Sequence, residues 1–324
     1  MNAPAPIISA IVVSYNTAAL TLRCLDALFA DLGTMPAEVL VVDNGSTDAS
    51  VSEVRSRFPQ AIVLENGANL GFGAANNIAM KQATGKYLLL INSDAFVRPG
   101  AIAAMVARAQ ADPQLAVIGP RIVCTDGSLQ LSCFRFTTPA RAWMENLWLS
   151  QLFSGSKSLG DYRRWPHDRE RIVDFVIGAC MLVRADAYRQ VGGFDENFFM
   201  YSEESDWQWR MKRAGWMVAF TPAASVEHIG GASGIGEKAR INRHFFESLD
   251  LYTRKHHGIF GLISLRAAMA VGCTIRTVLW AGAWIASPRR RRAAAAKIKL
   301  LSWLVVRQTT CWTTPLASPN IKVR

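Results

Sequence analysis

Three common signatures of nucleotide and metal folds are missing from the 324 residues. There is no G-x-x-x-x-G-K-[ST] run, so a P-loop is excluded. The turn after the first apolar segment reads "SYNTAAL" and has no glycine, while the later "GFGAAN" lacks the third glycine of a dinucleotide fingerprint. A dehydrogenase is therefore disfavoured. The six cysteines form no CxxC pair, which leaves neither a zinc ribbon nor a disulfide framework and points to a reduced, cytosolic compartment. Side-chain charge is absent from residues 1–22, yet no basic n-region stands there. The apolar run "IISAIVV" is short and β-branched, so it reads as a buried strand and not as a signal peptide.

Apolar residues make up 50% of the chain, enough for a sizeable core. The net charge of +11 is unevenly placed. Residues 236–324 hold 16 Lys/Arg against three Asp/Glu, while residues 1–235 hold 20 against 22. The basicity belongs to the tail, and its partner must be acidic.

Strand and helix alternate through the first part. "IISAIVVSYN", "AEVLVVDNGSTD", "AIVLEN" and "YLLLINSD" read as strands, with helices predicted over 17–31, 48–58, "FGAANNIAMKQA" and from Pro99 onward. Strands that are apolar throughout, alternating with helices, predict a mostly parallel sheet covered on both faces. Residues 120–175 are less regular. A short helix is predicted over 204–213, followed by a strand-like pair in "MVAFTPAASVEH". No internal repeat occurs before the tail.

Residues 259–287 are apolar but interrupted by Arg266 and Arg276, and "SPRRRRAAAAKIKLLSWLVVR" then forms a basic amphipathic segment. The tail reads as lying on an anionic membrane surface and not crossing it, because the longest uncharged stretch is shorter than a span requires. A solvated basic helix packed on the main domain is the bland alternative. A nucleic-acid arm fits poorly, since the tail is rich in apolar residues and the main domain is not basic.

In an open parallel sheet, ligands bind beyond the carboxyl ends of the strands. Four strand ends carry polar residues there: Ser14, Tyr15 and Asn16; Asp43 and Asn44; Asn66 and Asn69; Asn92, Ser93 and Asp94. One such end could simply start a turn, but four together make a crevice. Asp94 after a hydrophobic strand suits a divalent cation bridging phosphates. His228, at another strand end, is the one candidate for a nitrogen ligand, and Mn²⁺ accepts mixed N and O donors.

"NFFMYSEESDWQWR" places Glu203, Glu204 and Asp206 within four residues, flanked by Phe198, Phe199, Tyr201, Trp207 and Trp209. Carboxylates packed this closely repel one another unless something positive or reactive sits among them. The ordinary reading is that acids favour a helix N-terminus.

The segments "VVSYN", "VVDNGSTD", "NLGFGAANN", "LLLINSDAFVRPGAI", "VIGACMLVRADAYRQVGGFDENFFMYSEESDW" and "HIGGASG" occur in this order. Together they resemble the family 2 glycosyltransferases, in particular the rhamnosyltransferase-like branch, over about residues 7–235. The resemblance implies a GT-A fold with a Rossmann-like, mostly parallel sheet, a nucleotide-sugar donor, a divalent metal (Mn²⁺ or Mg²⁺) and inversion at the anomeric carbon. It divides residues 1–235 into a nucleotide-sugar half (1–120) and an acceptor half (121–235), with 236–324 as an amphipathic helical tail.

Carried onto this chain, the resemblance implies that Asp43 bonds the base or ribose and that Ser14, Tyr15 and Asn16 line the base pocket. Asn69 and Gly71 would lie near the donor, and Asn92, Ser93 and Asp94 stand where the family has its metal-binding D-x-D. Only the last acid remains here, which gives His228 more weight as a metal ligand. Glu204 stands where the family's catalytic base is commonly aspartate. Glu203, Asp206 and Trp207 fall on the acceptor side, with Trp207 stacking on a sugar. The metal, Arg184 and Arg210 would supply counter-charge.

These implications describe an inverting enzyme on the cytoplasmic face of the membrane. It would move a sugar, first of all L-rhamnose from dTDP-rhamnose, to a lipid-linked glycan acceptor in envelope polysaccharide synthesis. The alternative is a non-catalytic nucleotide-sugar-binding scaffold. A processive synthase would need several spans and a Q-x-x-R-W motif, and the sequence has neither.

Overall fold

The computed structural model describes residues 5–152, 165–230 and 238–310; the side chains of 238–243 and 310 are not described. By contact density the chain divides into two units: residues 1–136 with 165–248, and residues 137–164 with 249–324.

The first unit opens as the alternation predicts. β1 (Ile8–Ser14), α1 (Ala18–Leu32), β2 (Ala37–Asp43), α2 (Ser50–Arg57), β3 (Ile62–Glu65), α3 (Phe72–Met80) and β4 (Tyr87–Asn92) follow in order. β3, β2, β1 and β4 lie side by side and all parallel. Alternate strand residues face opposite ways. Ile8, Ala10, Val12, Val39 and Val41 join one core with Cys24, Leu25 and Leu28 of α1 and Val54 of α2. Ile11, Leu40 and Val42 are equally buried on the other face, and α3 packs against β1 and β2. Both faces are covered, which is why these strands contain no polar alternation.

The remaining elements of this unit are β5 (Ala95–Val97), α4 (Ala101–Ala111), β6 (Leu115–Val123), β7 (Leu129–Gln130), β8 (Cys133–Phe134), β9 (Arg171–Val173), β10 (Phe175–Val176), β11 (Cys180–Arg184), α7 (Ala185–Val191), α8 (Glu203–Arg213) and β12 (Met217–His228). Their strands lengthen the sheet, except that β8 and β10 pair only with each other. β11 runs antiparallel between β4 and β6, and β12 is parallel to β6 and antiparallel to β5. The segment expected as a strand pair is one 12-residue strand, irregular between Thr221 and Ser225. The register aligns Ser14 with Asp43, Asp43 with Glu65, and Val13 with Asn92, so the polar strand ends share one edge.

The second unit is helical. It holds α5 (Pro139–Asn146), α6 (Leu149–Leu152), most of α9 (Lys238–Ala286) and α10 (Arg291–Thr310). Gly258 interrupts α9 with φ 68°. Ala142 of α5 packs with Leu262, Leu265 and Ala268 of α9. Arg266, 1% exposed, donates to Asp250 at 2.7 Å, and Arg307 of α10 reaches the same carboxylate at 3.1 Å. Arg266, one of the two arginines that interrupt the apolar run, is thus neutralised inside this unit.

Candidate active site

The carboxyl edge of the sheet is assembled by short polar links. Asp43 Oδ2 accepts the N–H groups of Gly45 and Ser46 at 3.2 and 3.0 Å, while its buried Oδ1 has no hydrogen-bond partner. A buried carboxylate oxygen left without a donor is costly unless a ligand supplies one.

The other residues assigned to the base pocket behave differently. Ser14 Oγ lies 2.8 Å from Thr21 Oγ1, and Thr17 Oγ1 lies 3.2 Å from Thr21 Oγ1 and 2.9 Å from Ser93 Oγ. The Ser14 and Ser93 hydroxyls therefore tie the ends of β1 and β4 to α1 from buried positions. Asn16, at φ 50°, accepts from Thr47 N–H at 2.8 Å and donates its own N–H to Ser46 Oγ at 2.9 Å. Tyr15 is half-buried.

The turn before α3 hangs on Asn44, one of the polar strand-end residues, to which sequence reasoning assigned no particular role. Asn44 Oδ1 accepts from Asn66 Nδ2 and Leu70 N–H, both at 3.0 Å, and Asn44 Nδ2 donates to Asn69 Oδ1 at 2.9 Å. Asn69 in turn receives the Gly71 N–H at 3.0 Å. Gly71 has φ 84°, and a Cβ there would lie 2.2 Å from the Phe199 carbonyl oxygen. Its close backbone neighbour is thus the loop leading to the acidic helix. Phe72 N–H donates to the same carbonyl at 3.2 Å.

Asp94 and His228 are brought together because β5 and β12 pair with Ala95 opposite His228. Asp94 Oδ1 lies 3.2 Å from His228 Nε2, and Gly230 N–H donates to Asp94 Oδ2 at 3.1 Å. His228 Nδ1 lies 3.0 Å from Gln130 Oε1, and Asn92 Nδ2 is 3.5 Å from Nε2. A neutral imidazole has one N–H. Spent on the Gln130 oxygen, it leaves the Nε2 lone pair facing a carboxylate, an arrangement that suits a cation. Among the described residues no group of three His, Cys, Asp or Glu gathers to hold a metal, so the protein offers two donors. Gln130 escaped sequence reasoning because only the β6–β7 pairing brings it near. The glycine segment after Gly230 lies outside the described residues from 231 to 237.

Glu203 and Glu204 open α8. Burial and their mutual repulsion push the Glu203 carboxyl well above the ordinary glutamate range, and burial raises Glu204. One oxygen of each is buried without a hydrogen-bond partner. The expected counter-charges are elsewhere. Arg184 donates to the carbonyls of Leu115 and Ala109, and Arg210 pairs with Asp206 at 2.9 Å and caps the Val191 and Gly193 carbonyls. Asp206 is fully buried in that ion pair, so its role is to fix the helix.

Trp207 is not an acceptor platform. It is 0% exposed, packs on Phe194 with centroids 4.3 Å apart, and donates its indole N–H to Gly192 O at 2.7 Å. Its place on the inward face of α8 follows from the helical period, which the local aromatic crowding hid. Gln208, also fully buried, holds α8 in place. Its amide accepts Val176 N–H at 2.9 Å and donates to Val176 O at 2.7 Å, like a neighbouring strand.

Comparison with known proteins agrees with this construction. The N-acetylglucosaminyl-diphospho-decaprenol L-rhamnosyltransferase of Mycobacterium tuberculosis (strain H37Rv) is 30% identical over 263 residues, covering 74% of this chain and 85% of that protein. The mannosyltransferase PcManGT from Pyrobaculum calidifontis, solved with GDP-Man and Mn²⁺, superposes with a TM-score of 0.55 at 19% identity, over 95% of this chain and 88% of that one. GalNAc-T7, solved with UDP, GalNAc and Mn²⁺, gives 0.53 at 15% identity, over 70% of this chain and 44% of that one. The fold is thus the α/β GT-A architecture with a C-terminal helical portion. Residues 9–192 match the family described as "Glycosyl transferase family 2", and the chain belongs to that family, on its rhamnosyltransferase-like side.

Proposed function

We propose that this glycosyltransferase moves L-rhamnose from dTDP-rhamnose, with inversion, to a hydroxyl of a lipid-linked glycan in envelope polysaccharide synthesis. The observation that carries the reading is the pair Glu203, buried, and Glu204, half-buried, at a helix start, both with pKa values raised and one unpartnered oxygen each. Such a pair accepts a proton at neutral pH more readily than an exposed glutamate does. Glu204 takes the acceptor hydroxyl proton as that oxygen bonds to the sugar C1 and the C1–diphosphate bond breaks. Burial and like-charge repulsion within the pair favour a single negative charge shared by Glu203 and Glu204.

Residues 1–120 hold the nucleotide, with the unpartnered Asp43 Oδ1 accepting from the base or ribose. Asp94 and His228 would hold a divalent metal, Mn²⁺ or Mg²⁺, which when bound offsets the charge of the departing diphosphate. Residues 121–235 present the acceptor to Glu204. The M. tuberculosis relative is named for a decaprenyl-linked acceptor, which supports a lipid-linked substrate here.

The membrane reading rests on the second unit. By length and composition, His244–Ala286 could cross a bilayer. However, one side of the segment after Gly258 is packed against α5, where Arg276 donates to Asn146 at 3.2 Å and Trp143 to Ser264 at 3.1 Å. The other side is open and apolar. Phe260 (83% exposed), Ile263, Val271, Val278 (65%) and Ile285 (71%) recur at helical spacing along one stripe. Arg289–Arg292, Lys297 and Lys299 follow it. A helix with one apolar face and a basic flank suits the plane of an anionic leaflet, peripheral on the inner side of the membrane.

The deciding experiment is thermal stabilisation by dTDP, UDP and GDP, each with Mn²⁺, Mg²⁺ or chelator, followed by transfer to a polyprenyl-diphosphate-linked sugar. Metal-dependent stabilisation by one nucleotide, together with turnover, supports the reading. Nucleotide binding without turnover on any acceptor would favour a scaffold.

A further inference from the structure

Tyr201 and Ser202 have φ of 68° and 63°, two consecutive non-glycine residues in left-handed conformation. Each costs about 1 kcal/mol or more and persists only where the surroundings over-determine it. Here they do. Ser248 Oγ–H donates to Met200 O at 2.7 Å, Phe72 N–H holds Phe199 O, and Asp206 N–H donates to Ser202 O at 2.8 Å.

The strain has a geometric result. It sets the Tyr201 ring immediately before the carboxyl pair, half-buried, with its own burial and then the neighbouring Glu203 and Glu204 raising the phenol pKa. No hydrogen bond to the Tyr201 hydroxyl exists among the described residues. The Phe245 ring stands edge-on to it at 5.8 Å and is 45% exposed, and beside it Phe199 and His244 lie 4.8 Å apart. This part of the site thus offers an open aromatic face, a free phenol and the base within a few residues, whereas Trp207 offers neither face nor N–H.

We propose that Tyr201 and Phe245 form the seat of the acceptor sugar, Phe245 covering the apolar C–H face of the pyranose and the Tyr201 hydroxyl bonding one of its oxygens so that the attacking hydroxyl turns toward Glu204. Aromatic rings with one polar tip suit a ligand that is apolar on its face and polar at its edge. Tyr201 is on this account a positioning residue. The proposal rests on the transferase reading and names the part of the site that selects the acceptor.

The test uses the full chain with Tyr201→Phe and Phe245→Ala. The first keeps the ring and the second alters an exposed side chain, so both retain the fold. With a short-chain alkyl diphosphate of N-acetylglucosamine as acceptor, each variant should raise the acceptor KM about tenfold. The donor KM and the nucleotide-induced thermal shift should stay within about twofold of wild type. An unchanged acceptor KM, or a donor KM that rises in parallel, overturns the proposal. If the wild type transfers nothing, the transferase reading fails and the seat is read directly by saturation-transfer NMR with N-acetylglucosamine. Transfer from aromatic protons to sugar C–H groups, lost in both variants, sustains the seat; no transfer to the wild type sinks it.

Discussion

Asp94 Oδ1 and His228 Nε2 lie 3.2 Å apart at the end of a strand pair, and the far nitrogen of that histidine faces Gln130 at 3.0 Å. Two protein donors make a weak cation site unless a diphosphate completes it. Mn²⁺ titrated into the protein alone should bind feebly, and added nucleoside diphosphate should tighten it. Asp94→Asn and His228→Ala should each abolish the nucleotide-dependent part. Gln130→Leu, which frees the imidazole to rotate, should weaken it about tenfold. Electron paramagnetic resonance of free Mn²⁺ reads all three.

Glu204→Gln should lower turnover by at least about 100-fold while leaving the nucleotide-induced thermal shift intact. Glu203→Gln should act on stability. A carboxyl whose folded pKa is raised binds its proton more tightly in the folded state. Its stability contribution is full below the ordinary value of 4.5 and is lost as pH rises through the raised pKa. The glutamine variant escapes that loss. Urea midpoints for the two proteins should coincide in acid and diverge toward pH 8, the variant being the more stable; parallel curves would contradict the burial of this pair.

Gly71→Ala should cost at least about 2 kcal/mol, because φ is 84° and the new Cβ would meet the Phe199 carbonyl at 2.2 Å. The damage should reach both ligands, since Gly71 N–H is held by Asn69 while Phe199 precedes Tyr201 and Glu204. Differential scanning calorimetry and nucleotide binding together check this, and a variant with wild-type melting would mean that the loop moves aside freely.

Charge placed on the apolar stripe should release the protein from lipid. Co-sedimentation with vesicles containing phosphatidylglycerol should fall several-fold in Phe260→Glu/Val278→Glu/Ile285→Glu and weaken with salt in the wild type. Turnover on a short, water-soluble acceptor should be unaffected. Wild-type protein that ignores anionic vesicles would end the membrane reading.

The parallel half of the sheet was legible in the sequence because burial on both faces forces unbroken apolar strands, and the edge carrying Asp43 and Asp94 followed from it. His228 was legible as the one histidine at a strand end. Gln130 and Gln208 were not, and Asn44 was placed at the edge without its role, because a neutral amide carries no local pattern and its role exists only once distant strands meet. Trp207 misled for a related reason: a tryptophan beside acids looks like a sugar platform until the helical period turns it inward. The Asp250–Arg266–Arg307 cluster is another case, since it pairs residues far apart along two helices.

Gln208 holds residue 176 by both of its backbone groups and also donates to the Glu204 carbonyl at 3.0 Å. Three residues beyond Val176, the Ala179 carbonyl accepts the Asn92 N–H at 3.0 Å. The main chain at position 204 is thereby moored to the strand that ends at Asn92, independently of what its side chain does. Acid length at 204 then becomes a freely adjustable reach. Exchanging glutamate for aspartate there would draw the carboxylate back by one methylene over a stationary anchor, leaving the backbone that positions it in place.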